Sequence, residues 1–188
     1  MTGILDALLL EKQQAFSGTF IASLLGDQDP DVVLECAKTR LRRVPLQNIT
    51  LELLQRETNA TTTEVHELSE PCQLHDIDFF ITHSWEDDAE EKYEALRDVG
   101  EEFCKQKGRW PTVWFDKLCI DQNGIEVDLQ CLPIFIMGCD QLLVLLGKTY
   151  CKQLLVSFTL MSIDSLLIGG CSVFGNCTSS TQWQKPAK

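Results

Sequence analysis

Val113-Trp114-Phe115-Asp116-Lys117-Leu118-Cys119-Ile120-Asp121-Gln122 runs from an apolar strand straight into a polar loop, with Asp, Cys, Asp and Gln at fixed offsets. In an open α/β sheet, ligands collect outside the carboxyl ends of such strands, so this loop marks where chemistry is expected. Upstream, Ile77-Asp78-Phe79-Phe80-Ile81-Thr82-His83-Ser84-Trp85 has the same form and is followed by Glu86, Asp87 and Asp88. Two strands that end alike predict a parallel sheet with one functional edge.

Outward from these strands, the chain alternates strand and helix from Asp76 onward, the pattern of a parallel sheet flanked by helices. The first strand covers residues 77–83. Asp87 is placed to cap the next helix, with Glu90 three residues later. Ala89, Tyr93, Leu96 and Phe103 form its inward stripe and Gly108 ends it. The second strand covers 112–116, and the loop to about residue 125 is long for a strand-to-helix connection. A short helix with Leu129, Leu132 and Ile136 follows, with Pro133 near its start or kinking it. The third strand, 141–146, is almost wholly apolar and is expected centrally. A helix over roughly 150–167 stops at Gly169-Gly170, and 171–174 forms a short fourth strand. A doubly wound sheet usually has about five strands, so this one is expected in a form shortened at the C-terminus.

Ahead of this lies helical sequence. Leu5, Leu9, Phe16, Phe20 and Leu24 give residues 4–25 a near-helical apolar spacing, and Gly26 ends it. Asp29-Pro30 opens a second helix whose buried face is Val33, Ala37 and Leu41. Pro45 breaks that helix, and Leu46, Ile49, Leu53 and Leu54 predict a short third one. The expected organisation is a helical extension and linker over 1–63, an α/β domain over 64–175 and a disordered tail over 176–188. The extension either covers a face of the domain or offers an interaction surface.

A chain of 188 residues with 44% hydrophobic and 23% charged residues has the composition of a globular domain with one added segment. No apolar run reaches the roughly 18 residues needed to span a bilayer, and the start lacks the basic residues of a secretory signal, so a cytoplasmic location is expected. The net charge of −12 opposes binding to nucleic acid. The basic run 38–43 is expected as a solvated helix end. Nine cysteines without a Cys-x-x-Cys pair argue against a zinc or disulfide framework, and Cys104, Cys119, Cys131 and Cys139 read as small hydrophobes. No metal is expected.

Phe79 to Trp85 resembles the first strand motif of Toll/interleukin-1 receptor (TIR) domains and the Leu-Ser-His-x-Trp element of heterokaryon-incompatibility (HET) domains. Trp114 to Gln122 resembles the Trp-Ile-Asp-x-x-Cys-Ile-x-Gln signature of HET domains. The resemblance covers residues 76–170 and implies a flavodoxin-like fold with assembly through strand-end loops. It makes the loop 117–124 the expected contact surface, with other TIR/HET-like modules or further copies of this chain as partners. Some TIR domains cleave NAD, with a catalytic glutamate in a Trp-Cys-x-x-Glu context that steadies the positive charge developing on the ribose. Here Leu155 and Val156 stand where Trp and Cys would be, Thr159 stands where the glutamate is expected, and Asp164 lies more than a turn beyond. A signalling module with a degenerate catalytic site and no cofactor is therefore implied. A NAD-cleaving hydrolase using another carboxylate, such as Glu86, Asp87 or Asp116, is the alternative.

Each candidate carries a plainer role beside its functional one. Asp116, Asp121 and Gln122 suit a ribose, a metal or a partner's amides, and equally suit loop capping. Cys119 has the chemistry of a nucleophile but requires a base to activate it, and otherwise belongs in the core. His83 and Ser84, with Trp85 as a stacking surface, suit a nucleotide pocket. Alternatively Ser84 and Asp87 cap the next helix while Trp85 packs.

Overall fold

The computed structural model describes residues 29–55, 62–149 and 171–175. The expected helices over 4–25 and 150–167, the latter with Thr159 and Asp164, lie outside the described residues, as does the tail 176–188.

Helix α1 (Pro30–Arg40) starts as expected: the Asp29 side chain accepts the Asp31 N–H at 3.0 Å, proline occupies the first turn, and Val33 and Ala37 are buried. The basic run does not end as a solvated helix terminus. The chain turns extended at Leu41, and Arg42–Pro45 becomes strand β1. Pairing is the physical reason. Val44 aligns antiparallel with Val113, Arg42 aligns with Pro71 of strand β2 (Glu70–Pro71), and Leu41 and Val44 are fully buried. The arginines are also anchored, with Arg42 Nε donating to Ser69 Oγ at 2.7 Å and Arg43 Nε to Glu70 at 2.9 Å. The expected third helix is split into a 3-10 turn (Leu46–Asn48) and helix α2 (Leu51–Gln55), and helix α3 (Thr62–His66) precedes β2.

Strand β3 (Ile77–Thr82) is buried at all six positions. Helix α4 (Ala89–Lys107) follows and ends at Gly108, whose φ of 72° is the left-handed conformation that glycine adopts without strain. Strand β4 (Thr112–Trp114) leads into the one-turn helix α5 (Asp116–Cys119) and then helix α6 (Ile125–Met137), which carries Pro133 within it. Strand β5 (Cys139–Leu146) precedes strand β6 (Cys171–Gly175), the short fourth strand expected at the end of the fold.

The sheet order is β2-β1-β4-β3-β5-β6. β3 pairs in parallel with β4 and β5, and β5 with β6, while β1 closes the β4 edge antiparallel. Parallel crossovers are right-handed, and those from β3 to β4 and from β4 to β5 run in opposite directions across the sheet, so α4 and α6 lie on opposite faces. α2 packs with α4, and α1 with α6. The result is a mostly parallel, open α/β sheet flanked by helices, compatible with a flavodoxin-like fold. Its core centres on Trp114, which stacks on Phe80 at 4.3 Å between ring centroids and tilts against Phe135 at 6.1 Å. Among the described residues no helix is long and apolar enough to cross a membrane.

Candidate functional site: the carboxyl edge of the parallel strands

The parallel strands read, across the sheet, second, first, third, fourth in chain order, so the order reverses between β3 and β5. A crevice outside the strand ends belongs at such a point. The residues that leave β3 and β5 do meet there.

His83 follows β3 and is nearly sealed, at 2% exposure. Its ring stacks on Phe115 at 4.7 Å and tilts against Trp85 at 5.1 Å. Nε2 lies 3.0 Å from Asp116 Oδ1, and Nδ1 lies 3.2 Å from the Ser84 carbonyl oxygen. An ionised Asp116 can only accept, so Nε2–H donates and the carboxylate orients the ring. The same Asp116 oxygen accepts the Lys117 N–H at 2.7 Å. Asp116 is itself buried, and therefore turns inward to histidine rather than outward to a ligand.

Ser84, also buried, starts a second chain of bonds. Thr149, just beyond β5, gives its N–H and hydroxyl to Asp87 Oδ1 at 2.9 and 3.0 Å. With its own proton so used, Thr149 Oγ1 accepts from Ser84 Oγ at its other side. Asp87 Oδ2 is buried and has no hydrogen-bond partner among the described residues. Its approach depends on Gly147, where an added Cβ would lie 1.9 Å from that oxygen. This also explains why Asp87 does not cap α4. Asp88 does so instead, accepting the N–H groups of Glu90 and Glu91 at 2.9 Å each.

Lys92 joins the two chains. It is 7% exposed, and its Nζ donates to the Ser84 carbonyl oxygen at 3.1 Å. Burial holds its ammonium below the usual lysine range, against the opposing pull of Asp87, Asp116 and Asp88. Lys92 was not among the residues expected at the site. The signal was nonetheless present, because Lys92 lies four residues before the buried Leu96 and so falls on the inward stripe of α4. Thr149 offered no such signal, since only the reversal of strand order brings it to Ser84.

The signature loop is built as a support. Leu118, Cys119 and Ile120 are buried, and the Leu118 carbonyl oxygen accepts from Ser69 Oγ at 2.9 Å. Burial pushes the Cys119 thiol up to about 12, and its sulfur accepts the Phe115 N–H at 3.5 Å, so it is no nucleophile near neutral pH. Asp121 accepts the Asn123 N–H at 3.0 Å and stands 3.6 Å from Arg40 Nη2, while its own N–H donates to Asp128 Oδ2 at 2.7 Å. Arg40 Nε donates to the buried Asp128, which ties α1 to the start of α6. Gln122 is exposed at the turn. Trp85 is 45% exposed, with Lys117 Nζ 5.5 Å from its ring centroid. The structure thus brings His83, Ser84, Asp87 and Asp116 together with Lys92 and Thr149, and leaves Cys119, Asp121 and Gln122 outside that network.

Among the described residues no group of His, Cys, Asp and Glu is arranged to hold a metal ion. No protein-family model, curated protein or solved structure matches the chain, so its function has to be read from the geometry of this edge.

Proposed function

We propose that the chain is a TIR/HET-like signalling module that acts by protein–protein association, in a self/non-self or stress response, through the carboxyl edge of its sheet. The observation that carries this reading is apolar surface at that edge. Trp85 is 45% exposed, and Ile125 and Leu129, one turn apart where α6 leaves the signature loop, are 39% and 41% exposed. α6 runs back from the carboxyl ends of the strands, so its first turns belong to the same rim as Trp85. Beneath the rim, His83, Asp116, Ser84 and Thr149 are bonded to one another. An exposed tryptophan and exposed aliphatic side chains at one end of the sheet are the residue types enriched at interface centres.

Sedimentation velocity over a wide concentration range tests it. Self-association is expected for the parent chain and should weaken at least about tenfold in Trp85→Ala or Leu129→Asp, the loss typical of a central contact worth more than about 1.4 kcal/mol. A chain monomeric at every concentration, or one whose assembly ignores both substitutions, would sink the proposal.

One observation favours the alternative, a NAD-cleaving hydrolase. Asp87 Oδ2 is a buried carboxylate oxygen without a hydrogen-bond partner among the described residues, at the point where the strand order reverses. Such an oxygen suits the positive charge that builds on a ribose during cleavage. Release of nicotinamide from NAD at high protein concentration, abolished in Asp87→Asn, would establish that reading.

A further inference from the structure

Two free cysteines meet where α1 packs on α6. On α1, Cys36 and Arg40 stand one turn apart and share a stripe of the helix. On α6, Asp128 and Cys131 are three residues apart, share a stripe in the same way, and are both buried. One end of this seam is pinned, because Arg40 Nε donates to Asp128 Oδ1 and Nη2 donates to the Gly124 carbonyl oxygen at 3.4 Å. One turn back along α1 and one turn forward along α6, the Cys131 thiol shares a side-chain hydrogen bond with Cys36, so the stripes touch at both levels. Helices in contact run about 8–10 Å axis to axis with Cα atoms about 2.3 Å off each axis, which brings facing Cα atoms about as close as the roughly 4.4–6.8 Å that a disulfide spans. Cys131 is buried and Cys36 half-buried. Burial, with the Cys36 hydrogen bond and the Asp128 charge behind it, pushes the Cys131 thiol up to about 12, and the Arg40 charge works against that rise. The same guanidinium acts on Cys36, the more accessible of the two sulfurs and so the one placed to react first.

We propose that Cys36 and Cys131 form a redox modification site: hydrogen peroxide oxidises Cys36, and Cys131 then closes a disulfide that locks α1 to α6. The Cys36 thiolate attacks one peroxide oxygen. An S–O bond forms, the O–O bond breaks, and the departing hydroxide takes up the Cys36 proton as water. The Cys131 sulfur then attacks the sulfur of the Cys36 sulfenic acid. An S–S bond forms, the S–O bond breaks, and the hydroxyl leaves with the Cys131 proton as a second water. Two thiols together lose two electrons, and the peroxide gains them.

The plainer role of both cysteines is to fill the helix seam as small apolar side chains, and disulfide mapping separates the two. The intact chain is treated near neutral pH with hydrogen peroxide, remaining thiols are blocked, and linked peptides are identified by mass spectrometry without reduction. Cys36–Cys131 is expected as the main linkage, forming at least about tenfold faster than in concentrated urea, where the fold no longer holds the two sulfurs together. The oxidised chain should melt roughly 5–10 °C higher, a rise that dithiothreitol removes and that Cys36→Ser lacks. Oxidation of Cys104, half-buried on α4, without the Cys36–Cys131 linkage in the same sample overturns the proposal, whether or not the variant folds. So does a linkage that forms as fast in urea as in the folded chain.

Discussion

Asp78 shows how a charge is held inside an apolar strand. Its carboxylate accepts two hydrogen bonds from Arg109, each 2.7 Å, and two from Thr112, at 2.8 Å from the N–H and 3.0 Å from the hydroxyl. Burial alone would push this carboxyl up, but the bonds from Arg109 and Thr112 prevail and hold it below the usual range. Arg109 is 56% exposed, which screens the pair, so Asp78→Asn is expected to cost about 1–2 kcal/mol near neutral pH in urea denaturation. Because the folded pKa is depressed, that stability is present above the unfolded value of about 4 and is lost as pH falls through the lower folded value. The gap between parent and variant should therefore close in acid. A gap that is constant down to the acid transition would assign the effect to shape rather than charge.

At the scale of elements, close approaches decide which substitutions are tolerated. α4 packs Gly100 against Trp110 so tightly that an added Cβ would lie 2.2 Å from the indole ring and 3.2 Å from Leu46. Alanine would improve helix propensity by about 1 kcal/mol, yet displacing a rigid ring typically costs about 1–3 kcal/mol. Gly100→Ala is expected to lower the thermal midpoint; a rise would mean that Trp110 swings aside freely. The link between α1 and α6 gives a larger effect. Arg40→Ala removes the cation from Asp128, which is 2% exposed, and is expected to destabilise by about 3 kcal/mol. Substituting Asp128→Asn in the same chain should recover part of that loss in denaturant titration. The two cases differ in how far they were legible. The strands announced themselves because β3 and β4 are mostly apolar, with only Asp78, Thr82 and Thr112 polar, and α4 because its stripe repeats at helical spacing. Arg40 and Asp128 are 88 residues apart, and no local pattern distinguishes an arginine that reaches a buried carboxylate from one that faces water. The same limit shifted the cap of α4 by one residue, since Thr149 draws Asp87 away from the helix it precedes.

For the whole molecule, the instructive element is β1. Residues 42–45 read as the end of a helix followed by a proline break because their partners lie far along the chain, in β4 and β2. A strand of four residues carries little periodicity of its own. Its placement nevertheless makes residues 29–45 part of the sheet: Ala37, Leu41 and Val44 are fully buried, and the Leu46 N–H donates to the Pro111 carbonyl oxygen at 2.9 Å. A chain starting at residue 64, where composition alone divides the sequence, would lose all of these contacts and leave β4 as an unpaired apolar edge. We expect such a chain to aggregate or to unfold without a cooperative transition, by circular dichroism in urea, while one starting at residue 29 retains the transition. Cooperative unfolding of the shorter chain at the parent midpoint would show that β1 is an accessory. If the shorter chain instead fails as expected, the functional edge depends on the opposite end of the chain, because β4 holds Asp116 in place for His83 only while β1 holds β4.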